Sequence, residues 1–152
     1  MSKTFQILSE SQEDTKNIAR KTALVFHQGD LIILDGELGT GKTHFVKGFT
    51  EGNRSNDIVT SPTFSIANFY RTGNFDILHI DLYRIEKIEE FKDLGLTDYF
   101  DTSIVLIEWG KKFADYFDEY MLISFESQGD NKRLITFTGN CDKIDEIKNK
   151  LC

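Results

Sequence analysis

A chain of 152 residues, 39% of them hydrophobic and 28% charged, is long enough for one continuous core, and we expect a single domain over residues 1–152. Its formal net charge of -7 disfavours direct binding of nucleic acid, and its two cysteines, with no partner at metal-ligand spacing, exclude a zinc site. Because the apolar runs are short and no signal-peptide stretch follows Met1, the sequence predicts a cytoplasmic protein with no membrane partner.

The first third of the chain alternates strand and helix patterns. We predict, in chain order, an edge strand over residues 3–8, a helix capped by Ser11 that runs to the Gly29-Asp30 turn, a buried strand over residues 31–34, and a helix over residues 42–52. A glycine-rich segment lies between the last two elements. A strand, a glycine-rich loop and a helix in this order are typical of a nucleotide-binding unit.

The rest of the chain continues the alternation and ends in a hairpin. We predict extended backbone over residues 58–70, strands over residues 75–83 and 103–109, helices over residues 86–92 and 110–117, hairpin strands over residues 120–126 and 132–138, and a closing helix over residues 142–151. Apolar strands that alternate with helices predict an α/β fold. Specifically, we expect a three-layer domain with a largely parallel central sheet and antiparallel strands at its edges.

The glycine-rich segment is Gly36-Glu37-Leu38-Gly39-Thr40-Gly41-Lys42-Thr43, which matches the phosphate-binding P-loop pattern at every required position. Glycines let backbone N–H groups turn toward phosphate oxygens, and the N-terminus of the following helix favours the same anion. Lys42 would bind the β- and γ-phosphates, Thr43 would supply a Mg²⁺ ligand, and His44 would contribute its backbone N–H. The loop therefore predicts a site for a nucleoside triphosphate with Mg²⁺, and it makes the expected three-layer α/β domain P-loop NTPase-like.

Such a site also needs a carboxylate behind the metal, and two apolar strands end in one. Residues 104–107 precede Glu108, and residues 77–80 precede Asp81. Both carboxylates would lie at the carboxyl edge of a parallel sheet, where these sheets bind ligands. Thr63 has two open interpretations, a switch residue that binds Mg²⁺ or senses the γ-phosphate and a plain strand threonine.

Three other residues near these motifs have simpler interpretations. We interpret His79 as a sheet residue rather than a base, and Trp109 as a packing residue. Arg84 directly follows the Asp81 strand, where an arginine usually faces solvent. With Arg84 set aside, the sequence offers no obvious second cation close to the P-loop.

Three classes of P-loop protein compete for this sequence. A GTPase is disfavoured because the sequence has neither Asn-Lys-x-Asp nor Asp-x-x-Gly. A small-molecule kinase usually carries several arginines on a lid, and the arginines of this chain are not clustered, so a kinase stays the alternative. The third class is an ATPase whose hydrolysis drives a partner assembly, which the acidic surface allows.

Four motifs occur in the order and spacing of the TsaE (YjeE) family, and the chain resembles that family over nearly its whole length. They are the P-loop, Ser61-Pro62-Thr63-Phe64, His79-Ile80-Asp81-Leu82-Tyr83-Arg84 and Ile107-Glu108-Trp109. The resemblance implies a Mg²⁺-dependent ATPase required for threonylcarbamoylation of adenosine 37 in tRNAs that read codons beginning with A. Its partner would be the TsaB–TsaD pair, tRNA would be met only through that complex, and hydrolysis by the isolated protein would be slow.

The resemblance also implies roles for individual residues. Lys42 would bind phosphates, Thr43 and Glu108 would hold Mg²⁺, and Asp81 and Thr63 would support hydrolysis. The other contacts to ATP or ADP would come from Ser11, Glu37, Leu38, Gly39, Thr40, Gly41, His44 and Arg133. Thr40 and His44 depart from the alanine and threonine common in the family, but neither change removes a backbone donor that phosphates need.

Overall fold

The computed structural model describes residues 1–37, 39–60 and 66–152. The strands are β1 Ser2–Ser9, β2 Leu31–Asp35, β3 Ala67–Arg71, β4 Asp76–Asp81, β5 Ser103–Glu108, β6 Met121–Ser127 and β7 Arg133–Asn140. The α-helices are α1 Gln12–Ala23, α2 Lys42–Gly52, α3 Ile88–Asp93 and α4 Cys141–Leu151. Two 3-10 helices cover Leu96–Thr102 and Lys111–Tyr116. None of the helices in these ranges is long and apolar enough to cross a membrane.

The strands form one sheet in the order β1-β7-β6-β2-β5-β4-β3. Strands β6, β2, β5 and β4 are parallel to their neighbours within this group, whereas β3, β7 and β1 pair antiparallel. The sheet therefore has a parallel centre and antiparallel edges, as the sequence predicts. Because the central strands run the same way, their carboxyl ends meet at one edge of the sheet.

Helices cover both faces of this sheet, and strand β2 shows how. Its side chains alternate, so that Ile32 and Leu34 pack in one core while Ile33 packs in the other. The first core includes Phe45 of α2, which is fully buried, and the second includes Phe91 of α3. Burial of one such phenylalanine contributes about 1.5–3 kcal/mol. The helices on one face, the sheet, and the helices on the other face are the three layers that we expected.

Helix α1 begins where the sequence predicts and ends earlier. Ser11 has an extended backbone, and its hydroxyl accepts the N–H of Asp14 at 2.9 Å, which confirms it as the N-cap. The helix stops at Ala23 rather than at Gly29, so the predicted C-terminus is wrong. The apolar residues that suggested a longer helix, among them Phe26, are buried by a turn that packs on the same core.

Helices α1 and α2 cross at very close range because α2 has glycines one turn apart. A Cβ on Gly48 would lie 2.2 Å from the carbonyl oxygen of Lys16, and one on Gly52 would lie 2.6 Å from that of Arg20. Only glycine permits the two backbones to approach so closely. An ion pair between Arg20 and Glu51, at 2.8 Å, spans the same crossing. The crossing holds the first turns of α1 and α2 side by side.

The regions between the motifs differ most from the prediction. Helix α3 begins two residues later than predicted, and the predicted helix over residues 110–117 is a 3-10 helix. The 3-10 helix Leu96–Thr102 was not predicted, and it starts after Gly95, whose φ is 70°. Of the extended region predicted over residues 58–70, strand β3 is present, whereas Thr63 lies outside the described residues. The hairpin and closing helix are confirmed.

Candidate functional site

A cavity of about 250 Å³ lies at the carboxyl edge of the parallel strands. Four parts of the chain line it: the start of α1, the P-loop with the start of α2, the ends of β4 and β5, and the turn of the β6–β7 hairpin. The lining residues are Gln12, Thr15, Gly39, Gly41, Lys42, Thr43, His44, Asp81, Glu108, Asn131 and Arg133. The cavity thus gathers residues from most of the predicted motifs.

The P-loop connects the end of β2 to the start of α2 in a conformation that needs glycine. Gly41 precedes the helix with a φ of 100°, and among the described side chains none caps this helix end. Gly36 has no room for a side chain, because a Cβ would lie 2.8 Å from the carbonyl oxygen of Phe125. The hydroxyl of Thr40 donates to the Glu37 carbonyl at 2.6 Å, inside the loop. The first N–H groups of α2 therefore remain available to an anion in the cavity.

Lys42 lies across the loop, and only 5% of its surface is exposed. Its Nζ donates to the Gly36 carbonyl at 2.6 Å, lies 3.9 Å from Oε1 of Glu108, and sits 4.2 Å from the ring centre of Trp109. Burial lowers the pKa of Lys42, and the nearby carboxylates of Glu108 and Asp81 oppose this effect. An anion bound in the loop would add the negative charge that favours the ammonium form.

The two predicted carboxylates are direct neighbours in the sheet. Parallel pairing of β4 and β5 places Asp81 opposite Glu108, and both are largely buried, with 7% and 6% exposed. Oδ1 of Asp81 accepts the backbone N–H of Tyr83 at 2.8 Å. Together with the Thr43 hydroxyl, which lines the same cavity, they form an oxygen-only set suited to a hard cation such as Mg²⁺.

This set is too small to hold a metal by itself. No group of three or more His, Cys, Asp or Glu residues in the described ranges could bind a metal ion. A Mg²⁺ ion here would therefore need further oxygen ligands from a nucleotide and from water. P-loop proteins usually bind Mg²⁺ in this way, so the residues present fit the metal that the sequence predicts.

His79 is a sheet residue, as interpreted, but its contacts link it to the site. It is fully buried, and its Nε2 lies 2.6 Å from Oε2 of Glu108. The interpretation of His79 from the sequence did not include this contact, although one signal was present. Residues two apart on a strand share a face, so the spacing of His79 and Asp81 places them on the same side of β4.

Arg133 lies close to the P-loop, on the hairpin where the resemblance implied a nucleotide contact, and this position corrects the expectation that no second cation lies near the loop. Its Nη2 donates to the Gly39 carbonyl at 3.0 Å, and its Nη1 donates to the Gly129 carbonyl at 3.3 Å. The reason is the strand order: β6 lies beside β2, so the β6–β7 turn projects over the loop that follows β2. The hairpin and the loop therefore meet across 94 residues of sequence.

The other predicted residues have simpler positions. Ser11 caps α1, and the side of the cavity nearest to it is lined by Gln12 and Thr15. His44 lines the cavity, and burial lowers its pKa, as do the positive charges of Lys47 and Lys16. Glu37 is exposed, whereas Leu38 and Thr63 fall outside the described residues. Trp109 packs, as interpreted, but its contacts are with Lys42 and, in an edge-to-face arrangement, with the Tyr83 ring.

The parallel sheet, the strand–loop–helix unit and the carboxylates at neighbouring strand ends together define the architecture of the P-loop class. The sequence profile of the family described as "Threonylcarbamoyl adenosine biosynthesis protein TsaE" matches residues 9–135. The chain therefore belongs to the TsaE family, whose role lies in the biosynthesis of threonylcarbamoyladenosine in tRNA.

Individual relatives agree with this assignment. The chain is 43% identical over 128 residues to the TsaE protein of Bacillus subtilis, with 83% of this chain and 80% of that protein covered. It is 34% identical over 134 residues to the TsaE protein of Treponema pallidum, with 87% and 98% covered. The crystal structure of YdiB from Bacillus subtilis superimposes with a TM-score of 0.80 at 33% identity, covering 99% of this chain and 95% of that one.

Proposed function

We propose that this protein binds ATP together with Mg²⁺ in the cavity and hydrolyses it, and that this hydrolysis is its contribution to threonylcarbamoyladenosine formation. One observation carries the proposal: a P-loop, a buried lysine and two in-register carboxylates converge on one cavity at the carboxyl edge of the sheet. Each has a separate task in phosphoryl transfer to water.

The residues of the cavity divide these tasks by their chemistry. Thr43 and Glu108 would hold Mg²⁺, which when bound neutralises charge on the phosphate oxygens. Lys42 would exchange the Gly36 carbonyl for a phosphate oxygen. Asp81, whose Oδ1 is fixed by the N–H of Tyr83, would orient the attacking water. Water attack at the γ-phosphorus breaks its bond to the bridging oxygen and yields ADP and phosphate.

The supply of positive charge suggests slow hydrolysis by the isolated protein. Lys42 is buried and Arg133 is bonded to backbone carbonyls of the loop and the hairpin. A further cation and a tighter closure over the γ-phosphate would come from a partner, and an arginine supplied in this way accelerates hydrolysis by roughly 10³–10⁵. We propose the TsaB–TsaD pair as that partner.

The charge of the protein suggests how tRNA enters the pathway. A net charge of -7 disfavours association with the phosphates of tRNA. We therefore propose that tRNA is contacted through the partner complex. The protein alone would bind tRNA weakly and would be stimulated little by it.

Steady-state release of phosphate from ATP and Mg²⁺ tests the proposal. The protein is assayed alone, with tRNA, and with the TsaB–TsaD pair, and Lys42→Ala serves as the inactive control. We expect slow release alone, little change with tRNA, and clear acceleration with the pair. Full activity without partners would refute the need for the pair, and a stoichiometric phosphorylated metabolite would show a small-molecule kinase instead.

Nucleotide preference is tested separately by thermal unfolding. A ligand that binds the native state raises the melting temperature by mass action. ATP and ADP, each with and without Mg²⁺, should raise it more than GTP does. A larger shift with GTP would overturn the assignment of adenine.

A further inference from the structure

The buried His79 is not used by the function proposed above, yet it connects two parts of the molecule. On one side its Nε2 lies 2.6 Å from Oε2 of Glu108. On the other side its Nδ1 lies 3.3 Å from the hydroxyl of Tyr70, on the neighbouring strand β3. The imidazole has no exposed surface, so its two ring nitrogens depend on these two contacts for hydrogen bonds.

The chemistry of the first contact sets its direction. An ionised carboxylate only accepts hydrogen bonds, so Nε2 carries a proton and donates it to Oε2 of Glu108. This bond leaves Oε1 as the oxygen on the P-loop side, 3.9 Å from Nζ of Lys42. The imidazole therefore determines which carboxylate oxygen faces the cavity.

The second contact holds the ring from behind. The hydroxyl of Tyr70 lies 2.9 Å from the Thr60 carbonyl oxygen and 3.3 Å from Nδ1 of His79, so its single proton serves one of these two contacts at a time. The Tyr70 side chain is buried. The amide of Asn68 also donates to the Thr60 carbonyl, at 3.3 Å. Tyr70 is thereby fixed by the backbone, and it limits rotation of the His79 ring.

We propose that His79 is a positioning residue, which holds Oε2 of Glu108 so that Oε1 faces the cavity in the orientation needed to bind Mg²⁺. The inference rests on the function proposed above, since it needs Glu108 to be a ligand of nucleotide-bound Mg²⁺. Groups that orient a metal ligand in this way typically change metal affinity or activity by about 10–100-fold when they are removed. The competing view is that His79 only fills space and satisfies its own hydrogen bonds in the core.

Two amide substitutions separate these views because each can preserve the hydrogen bond of one ring nitrogen and not of the other. In His79→Gln the amide nitrogen can take the position of Nε2 and keep the bond to Glu108. In His79→Asn the shorter side chain reaches only the position of Nδ1, so the bond to Tyr70 can remain and the bond to Glu108 is lost. His27→Asn, at an exposed histidine far along the chain from β4, is the control for loss of an imidazole.

The measurement is equilibrium binding of a fluorescent ATP analogue at increasing Mg²⁺. For His79→Asn we expect half-saturation to require roughly 10-fold or more additional Mg²⁺, with affinity in EDTA close to that of the parent. His79→Gln should recover most of the Mg²⁺ dependence, and His27→Asn should match the parent. Equal loss in both His79 variants, or a parent-like Mg²⁺ dependence in a folded His79→Asn, would overturn the inference.

A second measurement needs neither metal nor nucleotide. Nitrogen-15 NMR of the metal-free protein should show His79 protonated at Nε2, with a ring proton protected from exchange by burial. Glu108→Ala should shift or abolish that signal, whereas His27→Asn should leave it in place. A His79 ring protonated only at Nδ1 would refute the bond that the inference requires.

The two measurements also distinguish failure of this inference from failure of the proposed function. If the parent binds no ATP at any Mg²⁺ concentration, the proposed function is wrong and the inference fails with it. If the parent binds ATP with Mg²⁺ and His79→Asn does so equally well, the inference alone is wrong.

Discussion

Replacing Gly48 with alanine tests whether the close crossing of α1 and α2 supports the site. Helix propensity alone favours the change by about 1 kcal/mol, since Gly48 lies inside α2. The new Cβ, however, would lie 2.2 Å from the carbonyl oxygen of Lys16 and 2.8 Å from its carbonyl carbon. These are backbone atoms that cannot rotate away, so the helices must separate by about 1 Å to restore ordinary contact.

The clash should outweigh the gain in propensity. Overpacking in a well-packed core costs typically about 1–3 kcal/mol, and a backbone contact this short belongs at the upper end or beyond. We expect Gly48→Ala to lower the free energy of unfolding by about 2 kcal/mol net, since the propensity gain offsets part of the clash. For a chain of this length the melting temperature should fall by roughly 4–8 °C.

The same separation should weaken nucleotide binding. Thr15 at the start of α1 and Thr43 at the start of α2 line the cavity, and both would move with their helices. A misplacement near 1 Å can cost up to about 10²-fold in function, so a loss of roughly tenfold in ATP affinity is a moderate expectation. The assays are thermal unfolding followed by circular dichroism and titration with a fluorescent ATP analogue.

A matched variant controls for the substitution itself. A Cβ on Gly73 would meet no atom within 4 Å, so Gly73→Ala should change stability by less than about 0.5 kcal/mol and leave affinity unaltered. If Gly48→Ala raises the melting temperature, propensity dominates and the reasoning from the close crossing is refuted.

The remaining predictions concern the residues of the cavity. Lys42→Ala should abolish ATP hydrolysis and leave the fold intact. Because burial lowers the pKa of Lys42, the free energy of unfolding of the parent, relative to this variant, should rise with pH between that lowered pKa and 10.5. A difference that does not change with pH would contradict the effect of burial. Glu108→Ala should impair Mg²⁺-dependent binding, whereas Asp81→Ala should keep binding and slow single-turnover hydrolysis, and the reverse pattern would exchange their roles. Arg133→Ala should weaken ATP binding by about tenfold through loss of a charged hydrogen bond to the loop, with the exposed Lys132→Ala as control; equal affinities would show that the contact to Gly39 does not matter.

Local patterns predicted the fold well where one element specifies its own ends. Helix α2 runs over the predicted residues because Gly41 and the P-loop pattern set its start. Ser11 caps α1 because its hydroxyl accepts the N–H of Asp14, a local contact that needs no other element. The predicted end of α1 was wrong because the apolar residues that follow Ala23 are buried in the core without being helical.

The contacts within the site could not be predicted, because they depend on the order of strands in the sheet. The P-loop and the two strand-end carboxylates could be identified by spacing alone. The bond from Arg133 to Gly39 requires β6 beside β2, and the bond from His79 to Glu108 requires β4 beside β5. Hydrophobic periodicity identifies a strand but says nothing about its neighbours. It therefore gave only a weak signal for the contact of His79, and Arg133 was indicated by the family resemblance rather than by spacing.

The strand order also bears on how the chain acquires its structure during synthesis. Among the described strands, β1 pairs with β7 alone and β2 pairs with β5 and β6, so the partners of both early strands are made much later. At common translation rates the interval between β1 and β7 is on the order of ten seconds. Until β5 is made, the apolar residues of β2 have no neighbouring strand to pair with, and the P-loop that follows them has no fixed support. We therefore expect the sheet to be completed late in synthesis, and a ribosome that stops before β7 to release a chain in which β1 has no strand to pair with.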